Sequence, residues 1–165
     1  MGRIERQRTE KVIETIPLKL LFEEIINELA SFIEKKEMVI IHKYDEEVVL
    51  EANSRLLEFV FKNFLSNAVK YSERGSEIVI DFKVSDHESI ISVADKGVGI
   101  SSENIDKIFS LNQNWKTHGT EGEYGTGLGL LASTRFADYF NAKINIESTP
   151  GEGSTFSLIL PKYLA

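Results

Sequence analysis

Asn63, Asn67, Lys70 and Tyr71 follow one another at steps of four, three and one within Asn63-Phe64-Leu65-Ser66-Asn67-Ala68-Val69-Lys70-Tyr71. On an α-helix, at roughly 100° per residue, these four side chains share one face. Leu57, Val60, Phe61, Phe64, Leu65 and Ala68 supply the other face, with enough apolar surface to bury the helix. A helix that keeps one stripe for two amides, a cation and a phenol while packing the rest presents ligand groups. Amide oxygens suit a hard cation, an ammonium suits phosphate, and a phenol ring suits a flat base. The combination fits a magnesium–nucleotide.

Seven glycines fall in three clusters that could serve the same ligand: Asp95-Lys96-Gly97-Val98-Gly99-Ile100, Gly125-Thr126-Gly127-Leu128-Gly129-Leu130, and Gly151-Glu152-Gly153-Ser154-Thr155. The first sets a carboxylate at the end of an apolar strand, followed by backbone that a ligand can approach closely. Asp95 there can accept from an exocyclic amine, as adenine offers; a tight turn with a solvated carboxylate also fits those residues. The second cluster opens a helix, and glycine N–H groups with a helix N-terminus suit phosphate. Gly127, Gly129 and Ala132 also match the dinucleotide pattern Gly-x-Gly-x-x-Ala, but a polar, aperiodic loop precedes them where that motif requires a buried strand. No Gly-x-x-x-x-Gly-Lys-Ser/Thr run is present, which excludes a P-loop. The third cluster is most simply a hairpin turn.

With 165 residues the chain fits one domain that buries roughly 70% of its unfolded surface. A net charge of -7 argues against general nucleic-acid binding, which needs a basic field. The absence of Cys removes disulfides, thiolate metal sites and a thiol nucleophile. Apolar runs are far short of a membrane span, Met1 to Lys11 is too polar for a signal peptide, and Arg6 breaks a myristoylation signal. The reading is a cytoplasmic domain, compatible with a membrane-anchored parent protein.

The elements that must position these residues follow from periodicity. Residues 1–11 read as a polar remnant of an upstream helix or a tag, and 12–165 as the domain. Pro17 starts a helix that carries Leu20, Leu21, Ile25, Ile26, Leu29 and Phe32 through about residue 36. Met38–Ile41 and Val48–Leu50 read as a hairpin about Tyr44-Asp45-Glu46-Glu47. The amide-bearing helix spans about 54–72. Strands at 78–84 and 89–94 form an antiparallel pair, and Ser101 can cap a short helix over 102–108. Residues 110–124 lack periodicity and are expected to be mobile without ligand. A helix with Leu128, Ala132, Phe136 and Phe140 on one face follows, then strands 142–147 and 155–160. The order predicts an α+β fold, a two-layer α/β sandwich with three main helices on one face of a mixed, mainly antiparallel sheet.

The motifs, taken in order, resemble the catalytic ATP-binding domain of bacterial sensor histidine kinases, in the superfamily that also holds DNA gyrase, the mismatch-repair ATPases and a heat-shock chaperone. Asn63 to Tyr71 resembles the N box, Asp95 to Gly99 the first glycine box, Ile108-Phe109 the F box, and Gly125 to Gly129 the second glycine box. Gly151 to Phe156 with Leu160-Pro161 is similar to the closing strand, so the likeness covers about residues 17–162. It implies a Bergerat-type fold with ATP and Mg2+ as cofactors. It implies that Asn67 coordinates magnesium, that Asn63 supports the metal or its water, and that Lys70 contacts phosphate. Tyr71 would cover the nucleotide, and Asp95 would receive adenine's amine in a pocket shaped by Gly97, Gly99, Ile100 and Phe109. Residues 110–124 would be the ATP lid, with Lys116 as the γ-phosphate cation or simply a solvated lysine. Gly125, Thr126, Gly127, Leu128 and Gly129 would meet the phosphates, and Thr155 would sit behind Asp95. Asn141-Ala142 departs from the Gly-Gly common in the family, mildly, because Asn tolerates a left-handed helix end.

ATP-hydrolysing clamps of the superfamily commonly place a Glu, as general base, where this chain has Asn63, and an amide accepts no proton at neutral pH. Transfer to a histidine needs no such base, because neutral imidazole is already a nucleophile. The resemblance therefore implies a kinase rather than a clamp, with a nucleotide-binding regulatory module as the other alternative. Its partners would be the histidine-bearing dimerisation domain of the parent kinase and a downstream response regulator. The acceptor is expected outside the chain: His42 lies in an expected strand, His118 in the lid, and His87-Glu88 in a turn without a nearby Pro. A fragment of this kind is expected to be monomeric.

Overall fold

Asn53 ends an extended segment and turns the chain into its longest helix, its side-chain oxygen accepting from the Leu56 amide at 3.0 Å. Such a cap satisfies one of the orphaned amides at a helix start. The computed structural model describes residues 11–110, 117–125 and 127–162. In chain order these form β1 (Glu14–Pro17), α1 (Leu18–Glu28), α2 (Ala30–Lys35), β2 (Val39–Lys43), β3 (Val49–Ala52) and α3 (Ser54–Tyr71). They continue as β4 (Glu77–Val84), β5 (Glu88–Asp95), α4 (Ser102–Ile108), β6 (Thr117–His118), β7 (Tyr124–Gly125), α5 (Leu128–Tyr139), β8 (Lys143–Thr149) and β9 (Gly153–Pro161).

The main sheet runs β2-β4-β5-β9-β8, parallel between β2 and β4 and antiparallel elsewhere. Alternation sends Ile78, Ile80, Ile91, Val93, Phe156, Leu158 and Leu160 to one face, all buried. Helix α3 lies on that face against β5 and β9, flanked by α1 on one side and α5 on the other. Its Phe61 and Phe64 rings meet edge-on at 5.6 Å, and Phe64 reaches Phe156 at 5.5 Å. The fold is the expected one, a mixed and mainly antiparallel sheet with helices on one face.

Three local expectations are corrected. The hairpin expected from 38–41 and 48–50 does not form: β2 joins β4 in parallel, and β3 pairs antiparallel with β1 as a separate two-stranded ribbon. The helix expected to run unbroken to about residue 36 divides at Leu29, whose φ of -95° and ψ of 5° interrupt the regular turn. On α5 the buried side chains are Leu130, Ser133 and Ala137, whereas Leu128 is 57% exposed and Ala132 is exposed. Phe140 is buried in the core, and Phe136 packs edge-on against it at 5.5 Å and against Phe59 at 5.6 Å, so the expected face meets the core in its second half only.

Candidate nucleotide-binding site

The polar stripe of α3 opens onto a cleft of about 260 Å³. Asn63, Ser66, Asn67, Lys70 and Tyr71 form its helical wall. The loop after β5 contributes Asp95, Val98, Gly99 and Ile100, with Ile108 from α4 behind them. Gly125, Gly127, Gly129 and Leu130 close the opposite side with His118, and Ser154 and Phe156 of β9 form the floor. A larger hollow of about 470 Å³ lies nearby, lined by Leu29, Phe32, Val69 and the 121–123 segment. Lys35, Lys36, Ser66 and Lys70 line it too, but Asp95, Gly99, Gly125, Gly127 and Gly129 all open onto the smaller cleft, which is therefore the better candidate.

Asp95 ends β5 with 9% of its surface exposed. Its Oδ1 accepts from the Gly97 amide at 2.8 Å and the Ser154 amide at 3.3 Å. Its Oδ2 has no hydrogen-bond partner among the described residues, which suits an incoming amine. Burial pushes the carboxyl above its ordinary 3.8, against the pull of the two amides. Gly97 is packed under the Tyr71 carbonyl, where a Cβ would collide, and the next amide, Val98, donates to that same oxygen at 3.1 Å. The first glycine loop is thereby fastened to the end of α3.

Asn63 braces the two helices that flank the cleft. Its Nδ2 donates to Ser133 Oγ at 2.8 Å and to the Gly129 carbonyl at 3.3 Å. Gly127, in the left-handed region at φ 70°, is the N-cap of helix α5, and with Gly129 it brings the start of that helix to the cleft. One turn along α3 from Asn63, Asn67 is partly exposed on the cleft wall. Lys70 is half-buried, and burial lowers its ammonium below 10.5 while the charge of Glu123 partly restores it. Its Nζ lies 5.8 Å from the centre of the Tyr71 ring.

The profile of the "Histidine kinase-, DNA gyrase B-, and HSP90-like ATPase" family matches residues 52–164, more than half of the chain. The chain belongs to this family as the ATP-binding domain of a histidine kinase. Among curated relatives, the sensor protein BceS of Halalkalibacterium halodurans is 32% identical over 97% of this chain and 47% of its own length. The sensor protein GacS of Pseudomonas syringae pv. syringae is 32% identical over 92% of this chain and 18% of its own length. The chain thus spans less than half of these relatives. Among solved structures, a nucleotide-free form of the catalytic domain of histidine kinase ThkA superposes with a TM-score of 0.76 at 25% identity, covering 92% of this chain and 98% of that one. Acinetobacter baumannii histidine kinase AdeS gives a TM-score of 0.75 at 20% identity, covering 95% of this chain and 71% of that one, a likeness of fold.

In this histidine kinase domain most of the expected residues converge: Asn63, Asn67, Lys70, Tyr71, Asp95, Gly99, Ile100, Gly125, Gly127 and Gly129 all line the cleft. Four do not. Gly97 is buried beneath Tyr71 and holds Asp95 rather than the pocket wall. Phe109 is the C-cap of α4, and its neighbour Ile108 takes the place expected of it. Leu128 is exposed, and Leu130 lines the cleft instead. Thr155 pairs with Ala94 and lies on the other face of β9, while Ser154 stands beside Asp95. Lys116 and Thr126 lie outside the described residues. Ser66, Val98 and Phe156 went unnoticed in the sequence, although Ser66 falls on the same helical stripe as Asn63 and Lys70.

The 110–124 segment, expected to be mobile without ligand, is described only in part. Residues 111–116 lie outside the described residues, but β6 and β7 pair Thr117 with Gly125 and His118 with Tyr124. His42 lies on β2, its Nδ1 bonded to Tyr44 Oη at 2.7 Å, and His87 sits in the β4–β5 turn. Neither reaches the cleft. No helix of the described residues is long and apolar enough to cross a membrane.

Proposed function

We propose that the domain binds Mg-ATP in this cleft and passes the γ-phosphoryl group to a histidine on a separate dimerisation and acceptor domain, as the catalytic part of a two-component sensor kinase acting on a response regulator. The observation that carries the reading is the meeting of Asp95, the Asn67–Lys70 stripe and Gly125, Gly127 and Gly129 around one cleft. Asp95 Oδ2 would accept from the adenine amine, Lys70 would face the phosphates, and the opening turn of α5 would offer them backbone amides.

The residues present fit a magnesium ion only in company with phosphate. The described residues hold no group of three His, Cys, Asp or Glu, while Asn67 offers a single amide oxygen at the cleft. That is a donor set for a hard ion whose other ligands are substrate oxygens and water. When bound, the ion supplies charge neutralisation between the phosphoryl groups. An acceptor imidazole nitrogen would bond to the γ-phosphorus as the bond from that phosphorus to the β-bridging oxygen breaks, releasing ADP.

The clamp alternative, hydrolysis by an activated water, requires a base at Asn63. Its amide is instead committed as a donor to Ser133 and Gly129. Labelled ATP with a separately made acceptor domain tests the reading. Label is expected on the acceptor histidine, with none in the absence of magnesium, and Asn67→Ala is expected to lose magnesium-dependent binding while keeping its fold. Phosphate release without an acceptor would favour the clamp, and binding without transfer would favour a regulatory module.

A further inference from the structure

Lys36 directly follows α2 and is only 3% exposed, an unusual position for a lysine. Its Nζ donates to the Val69 carbonyl at 2.8 Å, to the Lys70 carbonyl at 2.9 Å, and to Glu123 Oε2 at 3.3 Å. The last carbonyls of a helix lack intrahelical donors and carry partial negative charge, so an ammonium there answers both needs. The chain around Glu123 is fastened to the same helix end. Thr120 donates its amide to the Lys70 carbonyl at 3.0 Å and its hydroxyl to the Ser72 carbonyl at 2.8 Å. Arg74 reaches Glu121 at 2.8 Å. Gly119 lies so close to Lys70 and Glu123 that a Cβ would strike both. The Gly119 amide closes the β6–β7 hairpin on the Glu123 carbonyl at 2.7 Å.

This junction separates the two hollows: Lys36, Glu121 and Glu123 line the larger one, while His118 and Gly125 line the nucleotide cleft. Lys70 borders both. Glu123 is thus bonded to Lys36 and electrostatically coupled to Lys70. Without the Lys36 ammonium, its carboxylate would draw more strongly on Lys70, whose charge it already feels, competing with any polyphosphate. We propose that Lys36 is a positioning residue for the phosphates: it neutralises Glu123 and pins the 117–125 hairpin to the end of α3, leaving Lys70 to face the nucleotide. The inference rests on the reading of the cleft as an ATP site.

The test compares the full chain with Lys36→Met, Lys36→Arg and Glu123→Gln by amide exchange and by calorimetry with Mg-ATP and with adenosine. Lys36→Met is expected to speed exchange of the Gly119 and Thr120 amides at least about tenfold, with the Ile91 and Val93 amides unchanged. It is expected to weaken Mg-ATP about tenfold and adenosine less than about twofold, with Lys36→Arg recovering most of the loss. Glu123→Gln is expected to loosen the same two amides, and combining it with Lys36→Met to add little. If Lys36→Met does not fold, unchanged hairpin exchange in Glu123→Gln overturns the proposal. Equal losses for ATP and adenosine also overturn it, as does faster exchange with unchanged ATP affinity. A parent chain that binds neither ligand overturns the ATP reading and the role of Lys36 together. A parent chain that binds both, with an unaltered ATP-to-adenosine ratio in Lys36→Met, overturns the role of Lys36 alone.

Discussion

Asp95 holds a charge that the free domain stabilises poorly. Its folded pKa is raised, so stability is fullest below the ordinary carboxylate value of 3.8 and declines as pH climbs through the folded value. At neutral pH the buried carboxylate is a standing penalty that a bound amine would relieve. Asp95→Asn keeps an oxygen for the Gly97 and Ser154 amides but presents N–H where Oδ2 was. The variant is expected to melt no lower than the parent near neutral pH while losing roughly 5- to 150-fold in nucleotide affinity, the equivalent of ~1–3 kcal/mol. A calorimetric Kd equal to the parent's would remove Asp95 from base recognition. Lys70 titrates in the opposite sense. Its free pKa lies below 10.5, and phosphate favours the protonated form, so affinity should be full below the free value and decline above it. Calorimetry from about pH 7 to about pH 10 should show that decline in the parent and a flatter profile in Lys70→Arg, whose guanidinium stays charged. The cleft-lining residues of α3 are legible because that helix is long and strongly periodic. Thr155 and Phe109 each stand one residue away from a side chain that lines the cleft, Ser154 and Ile108. On a strand a single step reverses the face, and nothing in Ser154-Thr155 says which hydroxyl turns inward.

Helix α3 joins the core to the site. Its buried side carries Phe61, Phe64 and Leu65 with no exposed surface, and its polar side is the cleft wall. Phe64→Ala would empty the space between Phe61 and Phe156, and a loss of about 3–5 kcal/mol is expected. Denaturant unfolding measures it, and a loss below about 1 kcal/mol would show that the surroundings collapse into the gap. The clean four-residue spacing of Leu128, Ala132, Phe136 and Phe140 marks a face that meets the core at Phe136 and Phe140 but not at Leu128 and Ala132. Burial instead follows Asn63, whose bonds to Ser133 and Gly129 turn that side of the helix inward. A polar contact between helices leaves no mark in hydrophobic periodicity.

Over the whole molecule, strand identity was easier to read than strand partnership. Alternation marks β4, and short turns make the β4–β5 and β8–β9 hairpins legible. The Tyr44–Glu47 turn suggested the same arrangement for β2 and β3, but each found a distant partner. Two neighbouring strands that diverge carry no local signal of it. The parallel seat of β2 beside β4 has a mechanical result: everything between them, α3 included, belongs to a single crossover. A melted α3 would leave the outermost strand tethered by slack chain, with its rung of main-chain bonds held by little else. The helical wall of the cleft is therefore also the strut that keeps one border of the sheet in place, and the two stand or fall as one cooperative unit.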